Sequence, residues 1–390
     1  MNKKKIALMV HNITGGGMEH VAAQMSRMFS ENGYKVFIFV WEFNRWDCFS
    51  YSGKIIKLEP VTIKGRKTIL SELQWYIRNA YIVRKAKKKY QIDVSISFAP
   101  EMNLINLLSR YKDKEILTIH CCMSERSDFR GMAYNKHIVK WGNCAEKIIT
   151  VSKWCEKDLI ENYGINRRKV KTIYNPIEKI QIQSDRKKEN IVLAVGRMHD
   201  VKQQWHIIRA FKEVVKLVPD AKLVIAGKGE NERYLKKLSD ELGLNEHIIY
   251  MGYVKKMDEL YENAKVLVFS SASEAFPCSA LEAIAKGIPV IAADCPGGIS
   301  EIITGKTRYK EYVGDKIYGI CGILTLPLDH VKYDGNTPLT KAEKILADSI
   351  IEMLVNETLY KRSIKGCLDI GHKFCIDRIG KEWVKQIEKM

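Results

Sequence analysis

Two glutamates, Glu274 and Glu282, stand eight positions apart in SSASEAFPCSALEAIAKGIPVIAADCPGG, residues 270–298. Carboxylates accept hydrogen bonds from pairs of sugar hydroxyls, so their surroundings decide whether such a ligand could sit there. Ser279 reads as the N-cap of a short helix, Gly287 as its C′ residue and Pro289 as the start of the next strand. Open amides and the positive dipole end at Ser279, Ala280 and Leu281 suit a phosphate group. Glu282 would then lie on the first turn, within reach of the ribose that the phosphate carries, and Glu274 in the loop would face the opposite side. A sugar–diphosphate–nucleoside has hydroxyls in both places. The plain alternative is a strand–helix–strand unit with two solvated glutamates.

Cations add to this set. AVGRMHDVKQ places Arg197 and Lys202 directly after an apolar strand. Two cations there could stabilise a departing diphosphate, each worth a few kcal/mol in gross Coulomb energy at ~4 Å near a partly screened surface. Read singly, each is an ordinary surface cation. Gly15, Gly16 and Gly17 lie between the first strand and its helix, where small residues let a backbone approach phosphates; a bare turn would also use them. The ten cysteines include no C-x-x-C, the nine histidines no H-x-x-x-H, and no D-x-D occurs. Neither a metal site nor a disulfide framework is expected, and no cofactor.

Both halves alternate short apolar strands with amphipathic helices, the pattern of a parallel sheet covered on both faces. KIALMVH, KVFIFVW, DVSISF, KEILTIH and KIITVS read as strands of the first half. NIVLAVGR, AKLVIAGKG, IIYMGYV, KVLVFSS and PVIAAD read as strands of the second. The polar tract 179–190 reads as a linker. The expected architecture is α/β, two tandem Rossmann-like doubly wound domains over 1–183 and 190–368 with a cleft between them. A terminal helix in 369–390 would cross back onto the first domain.

The chain has 390 residues, 46% hydrophobic and 28% charged, which suits two globular domains. No apolar run approaches the roughly 20 residues of a membrane span, and the five apolar residues Ile6 to Val10 are too few for a signal peptide. The protein is expected to stay in the cytoplasm. Its net charge of +18 is uneven: residues 1–185 hold 32 Lys and Arg against 18 Asp and Glu, a net of +14. Such a half would face something anionic. The segment 64–91 combines Leu70, Leu73, Trp75, Tyr76, Ile77 and Tyr81 with Arg84, Lys85, Lys87, Lys88 and Lys89. It reads either as a basic amphipathic helix on the inner face of an anionic membrane or as a core helix with a solvated end. Nucleic acid is disfavoured, because no recognised binding motif is present.

The ordered set GGGMEH, AVGRMHDVK, VIAGKGE, MGYV and SEAFPCSALEAIAKGIPVIAAD resembles the retaining glycosyltransferases of the GT-B fold, family four, over nearly the whole chain. The resemblance implies that Glu274 holds hydroxyls of the transferred sugar, that Phe276 and Pro277 shape the loop around it, and that Glu282 holds the ribose. It implies that Arg197 and Lys202 neutralise the diphosphate, with Gly16 and Gly17 near the phosphates. His120 would stand beside the reacting centre, Gly227 near the nucleotide, and Val254 against the base. Ala275 stands where the family usually has glycine, and Ser279-Ala280 where it often has leucine-proline, which leaves the donor sugar open. The implied reaction moves a hexosyl unit from a nucleotide-sugar, UDP favoured, to a saccharide or lipid-linked saccharide, with retention and without a metal. A non-catalytic nucleotide-sugar-binding protein and a sugar-nucleotide 2-epimerase of the same architecture are the rival readings.

Overall fold

Each half of the chain builds its own seven-stranded sheet. The computed structural model describes residues 3–42, 49–61, 68–125, 131–181 and 188–390. Two compact units divide the chain: Met1–Glu178 with Ile376–Met390, and Lys179–Cys375. Most of the linker tract, residues 182–187, lies outside the described residues, as do Cys48 and residues 64–67 of the basic segment.

In the first unit the elements run β1 (Lys5–Val10), α1 (Gly17–Glu31), β2 (Lys35–Val40), β3 (Lys54–Lys57), α2 (Ile69–Tyr90), β4 (Val94–Ser97) and α3 (Pro100–Leu108). They continue through β5 (Lys114–Ile119), α4 (Lys136–Lys140), β6 (Lys147–Thr150), α5 (Lys153–Tyr163) and β7 (Val170–Thr172). The strand order is β3-β2-β1-β4-β5-β6-β7, all parallel. The central strands β1 and β2 are almost wholly apolar because both faces are covered: every residue of β1 from Ile6 to Val10 is buried.

The second unit repeats the plan. It runs β8 (Ile191–Val195), α6 (Gln204–Leu217), β9 (Lys222–Ala226), α7 (Glu232–Glu241), β10 (Ile248–Gly252), α8 (Asp258–Asn263), β11 (Val266–Phe269) and α9 (Cys278–Ala285). Then follow β12 (Val290–Ala293), α10 (Ile299–Thr304), β13 (Ile317–Tyr318), β14 (Gly322–Thr325), α11 (Lys341–Val355) and α12 (Glu357–Lys373). The order is β10-β9-β8-β11-β12-β14-β13, and only β13 runs antiparallel. In both sheets the chain starts at a central strand, works outward to one side, then returns and works outward to the other. The reversal falls between β1 and β4 and between β8 and β11, the place where loops diverge and ligands enter such sheets.

The chain divides at Glu178 rather than at 183, and the terminal segment is two helices rather than one. α12 ends at Lys373, and α13 (Ile376–Glu388) packs on α1 in the first unit. The break has a packing cause: Phe374 is buried edge-on to Phe276 with ring centroids 5.1 Å apart, while the Ile376 amide donates to the Ile177 carbonyl at 2.8 Å.

The basic segment resolves differently from its sequence. Lys87 is not part of a solvated cluster: its ammonium is fully buried 2.8 Å from Asp113 and donates to Asn106 Oδ1 at 2.6 Å. Burial pushes its pKa down, and Asp113 opposes that. Ser95 Oγ and the Tyr111 amide also reach Asp113, at 2.6 and 3.1 Å. Tyr76 is buried as well, and Trp75 stacks on Trp41. Removing one partner of a buried, hydrogen-bonded ion pair strands the other charge. Asp113→Ala should therefore lower unfolding stability by about 3–5 kcal/mol in urea denaturation, and a change under 1 kcal/mol would contradict that account.

Candidate functional site

A glycine stack fixes the first loop of the site. β8 ends at Val195, and Gly196 follows with φ 150°. Gly227, after β9, has φ 145°, and a Cβ on it would stand 1.9 Å from the Gly196 carbonyl oxygen. The two loops therefore lie back to back, joined by Gly196 N–H to the Ala226 carbonyl at 3.0 Å and Met198 N–H to the Lys228 carbonyl at 3.0 Å. The absence of a side chain on Gly196 also makes room for the stem of Lys202, whose Cε would be 3.3 Å from a Cβ there. Gly227 thus supports the loop that carries the cations, a packing role that its sequence position alone does not reveal.

That loop turns through a short 3-10 helix, Asp200–Lys202, capped by His199, whose Nδ1 accepts from the Val201 amide at 3.2 Å. The loop after β11 is tied to it by Ser270 Oγ donating to the Lys202 carbonyl and the Ala272 amide donating to the Val201 carbonyl, both at 2.8 Å. So the loops after β8 and β11, the two strands that flank the reversal, are fastened together. At their junction Lys202 Nζ lies 2.6 Å from Glu274 Oε1. Ser271 Oγ donates to the same oxygen at 2.6 Å. Glu274 is only 8% exposed, and its backbone is held by Pro296 and Gly298. Its second oxygen, Oε2, has no partner among the described residues, and neither does the exposed Arg197 guanidinium. A carboxylate with one oxygen committed and one open can take hydroxyls without moving.

α9 begins two residues earlier than its sequence indicated. Pro277 is the N-cap, not Ser279, because proline's fixed φ at this position already sets the helix entry. Ser279 lies inside the first turn with its amide unpartnered among the described residues, whereas the Ala280 and Leu281 amides reach back to the Pro277 carbonyl at 3.2 and 3.4 Å. Glu282 consequently sits on the second turn rather than the first. Its Oε2 accepts from the Tyr261 hydroxyl at 2.8 Å. Burial, and then Glu282, push the Tyr261 pKa well up, so this phenol stays a donor. Phe276 is buried against Phe374 and anchors the loop from below. Val254 follows β10 and is half-buried. Ser271 and Tyr261 went unnoticed in the sequence: Ser271 has the faint signal of a serine three residues before Glu274, and Tyr261 has none.

In the first unit Gly16 is the N-cap of α1 and Gly17 its first residue, at the end of the loop that leaves β1. His120 follows β5. The Thr118 hydroxyl donates to the Ser97 carbonyl at 2.7 Å, so its lone pair accepts from His120 Nε2 at 3.0 Å. That fixes the tautomer and leaves Nδ1 as an open acceptor. The ring stacks on Phe98 at 5.3 Å, and burial lowers its pKa to about 4.

Two units, each built on a seven-stranded, largely parallel sheet with its strand order reversed beside the first strand, define an α/β protein of the GT-B architecture. The comparison with known proteins agrees on both halves. The profile described as Glycosyltransferase Family 4 matches residues 15–179, and that described as Glycosyl transferases group 1 matches residues 176–312. An uncharacterised glycosyltransferase of Methanocaldococcus jannaschii is 28% identical over 90% of this chain and 96% of its own length. The N-acetylgalactosamine-N,N'-diacetylbacillosaminyl-diphospho-undecaprenol 4-alpha-N-acetylgalactosaminyltransferase of Campylobacter jejuni is 25% identical over 77% of this chain and 83% of its own length. The fold is shared with Anabaena HepE solved in complex with UDP-glucose, at a TM-score of 0.77, 15% identity, and coverage of 99% of this chain and 100% of that one. The chain belongs to glycosyltransferase family four and is a glycosyltransferase that acts on a nucleotide-sugar.

An imidazole whose neutral form is favoured by burial takes a proton only well below the ordinary histidine range. Nuclear magnetic resonance titration of His120 should show the neutral Nε2–H ring persisting down to about pH 4, and a midpoint near 6.5 would exclude the hydrogen-bonded, desolvated placement.

Proposed function

We propose that this enzyme transfers a hexosyl unit with retention and without a metal, from a nucleotide-diphosphate sugar, UDP favoured, to a hydroxyl of a lipid-linked or surface-polysaccharide saccharide. The observation that carries the proposal is the Lys202–Glu274 pair at the β8/β11 reversal, with Glu274 Oε2 and Arg197 left open. Glu274 takes hydroxyls of the transferred sugar through Oε2. Arg197 and Lys202 take the diphosphate, assisted by the N-terminal turn of α9 at Ser279, Ala280 and Leu281. Glu282, oriented by Tyr261, takes the ribose hydroxyls. Gly16 and Gly17 serve the phosphates, Val254 the base, and His120 accepts from the sugar through Nδ1.

In the reaction the bond between the anomeric carbon and the diphosphate oxygen breaks while the acceptor oxygen bonds to the same face of that carbon. The acceptor's hydroxyl proton passes to the departing phosphate. Charge therefore grows on the leaving group, where Arg197 and Lys202 are worth most. The relative from Campylobacter, whose name describes transfer onto a diphospho-undecaprenol saccharide, supports a lipid-linked acceptor, and the UDP-glucose complex of the Anabaena protein supports a UDP-sugar donor.

Glu274→Gln should lower kcat on the order of 10²–10³-fold, the loss typical of one transition-state hydrogen-bonding group, while UDP affinity measured by calorimetry stays within about threefold. Equal loss of both would remove Glu274 from the sugar side. Release of nucleoside diphosphate should require acceptor beyond a slow hydrolytic rate, and it should persist in EDTA. Activity abolished by EDTA and restored by Mg²⁺ or Mn²⁺ would overturn the metal-free scheme.

A further inference from the structure

We propose that the outward face of α2 is a docking surface that lays the first unit on an anionic lipid bilayer. This goes beyond the transfer reaction and stands whichever saccharide is moved. The helix is about 33 Å long and is packed from one side only. Tyr76, Asn79, Ala80, Val83, Ala86 and Lys87 face the core, and Lys87 is pinned to Asp113. On the other side Ile69 is 81% exposed, Leu70 65%, Leu73 40%, Ile77 55% and Tyr81 59%. Positions 70, 73, 77 and 81 fall in one line along a helix. Single exposed apolar residues need no explanation, but a continuous line of four, with Ile69 beside its start, does.

The same outward side continues as Arg84, Lys85, Lys88 and Lys89, all exposed, with Arg78 beside the apolar line. Lys85 Nζ stands over the Tyr81 ring, 4.5 Å from its centroid, at the junction of the two stretches. Among the residues of α2 itself no carboxylate shares this side. Glu72, the one acidic residue of α2, is half-buried and accepts from the Met132 amide at 2.6 Å.

Charge and apolarity together select the occupant. An apolar groove on a protein would satisfy the Leu–Ile line and leave the cations idle, and a nucleic acid would do the reverse. A leaflet with anionic headgroups satisfies both: the apolar side chains enter the boundary between headgroups and acyl chains, and the lysine and arginine heads meet phosphates. Tyr81 then lies at headgroup level, where its ring and hydroxyl are both accommodated. Among the described residues no helix is long and apolar enough to cross a membrane, so α2 lies on the surface.

The test is co-sedimentation of the full chain with vesicles of phosphatidylcholine alone and of phosphatidylcholine with phosphatidylglycerol, at low and high salt. Wild type should bind the mixed vesicles at least about tenfold more tightly, with the preference falling as salt rises. Leu73→Ser/Ile77→Ser and Lys85→Glu/Lys88→Glu should each weaken that binding at least about tenfold. Circular dichroism should show both variants folded, and slow hydrolysis of a UDP-sugar in solution should match wild type. No preference for anionic vesicles, or binding unchanged in both variants, overturns the proposal. So does a wild-type dimer in lipid-free sedimentation that Leu73→Ser/Ile77→Ser converts to monomer while vesicle binding is retained, since a second copy would then be the occupant. Loss of donor hydrolysis in all three proteins would count against the proposed reaction and leave the vesicle result standing.

Discussion

A half-neutralised carboxylate is the constraint around which the loops at the second unit's strand reversal are built. A buried glutamate without compensation is costly, and its usual remedy is full pairing. Glu274 has only one oxygen compensated, by Lys202 and Ser271. The backbone makes that tolerable. Ser270 and Ala272 hold the Glu274 loop to the turn that carries Lys202, and Gly196 packed against Gly227 holds that turn to the sheet. Charge and backbone fix each other, so the open oxygen points from a rigid frame.

The contrast with the chain's other buried charges is instructive. Arg209 and Glu343 are both fully buried and pair at 2.7 Å, with His206 bonded to Glu343 at 2.8 Å and Arg209 also serving the Thr337 and Pro338 carbonyls. Burial raises the Glu343 carboxyl, but His206 and Arg209 together bring it down to about 2. Lys87 and Asp113 form a comparable network in the first unit. Those networks fasten helices to loops and have their hydrogen bonds filled. Glu274 and Arg197 differ in having hydrogen-bonding capacity to spare at the mouth of a strand reversal, which is what the proposed donor site draws on.

Much of the plan was legible because parallel sheets write their strands as uninterrupted apolar runs, and the strands read from the sequence recur as β1, β2, β4 to β6 and β8 to β12. The short strands β3 and β7 were not legible: three or four residues with half-exposed positions carry no periodic signal. Glu274, Lys202 and Arg197 stood out as candidates by type and spacing, and the structure brings Lys202 against Glu274. The helix start at Cys278 did not, since serine is a good N-cap in general and only the proline's geometry moved the boundary. α2 was ambiguous in the sequence because apolar residues on a basic helix are compatible with core or solvent, and both happen on its two sides.

The sequence by itself determined the two sheets, their polarity and the presence of two carboxylates and two cations after particular strands, because these depend on local pattern along the chain. Tertiary structure alone decided that Lys202 meets Glu274 through one oxygen, that Tyr261 orients Glu282, that Lys87 is buried while Lys85 and Lys88 are not, and that His120 carries its proton on Nε2. Each of these is a contact between residues far apart in sequence or a choice of which helix face is covered, and packing, not local composition, makes that choice.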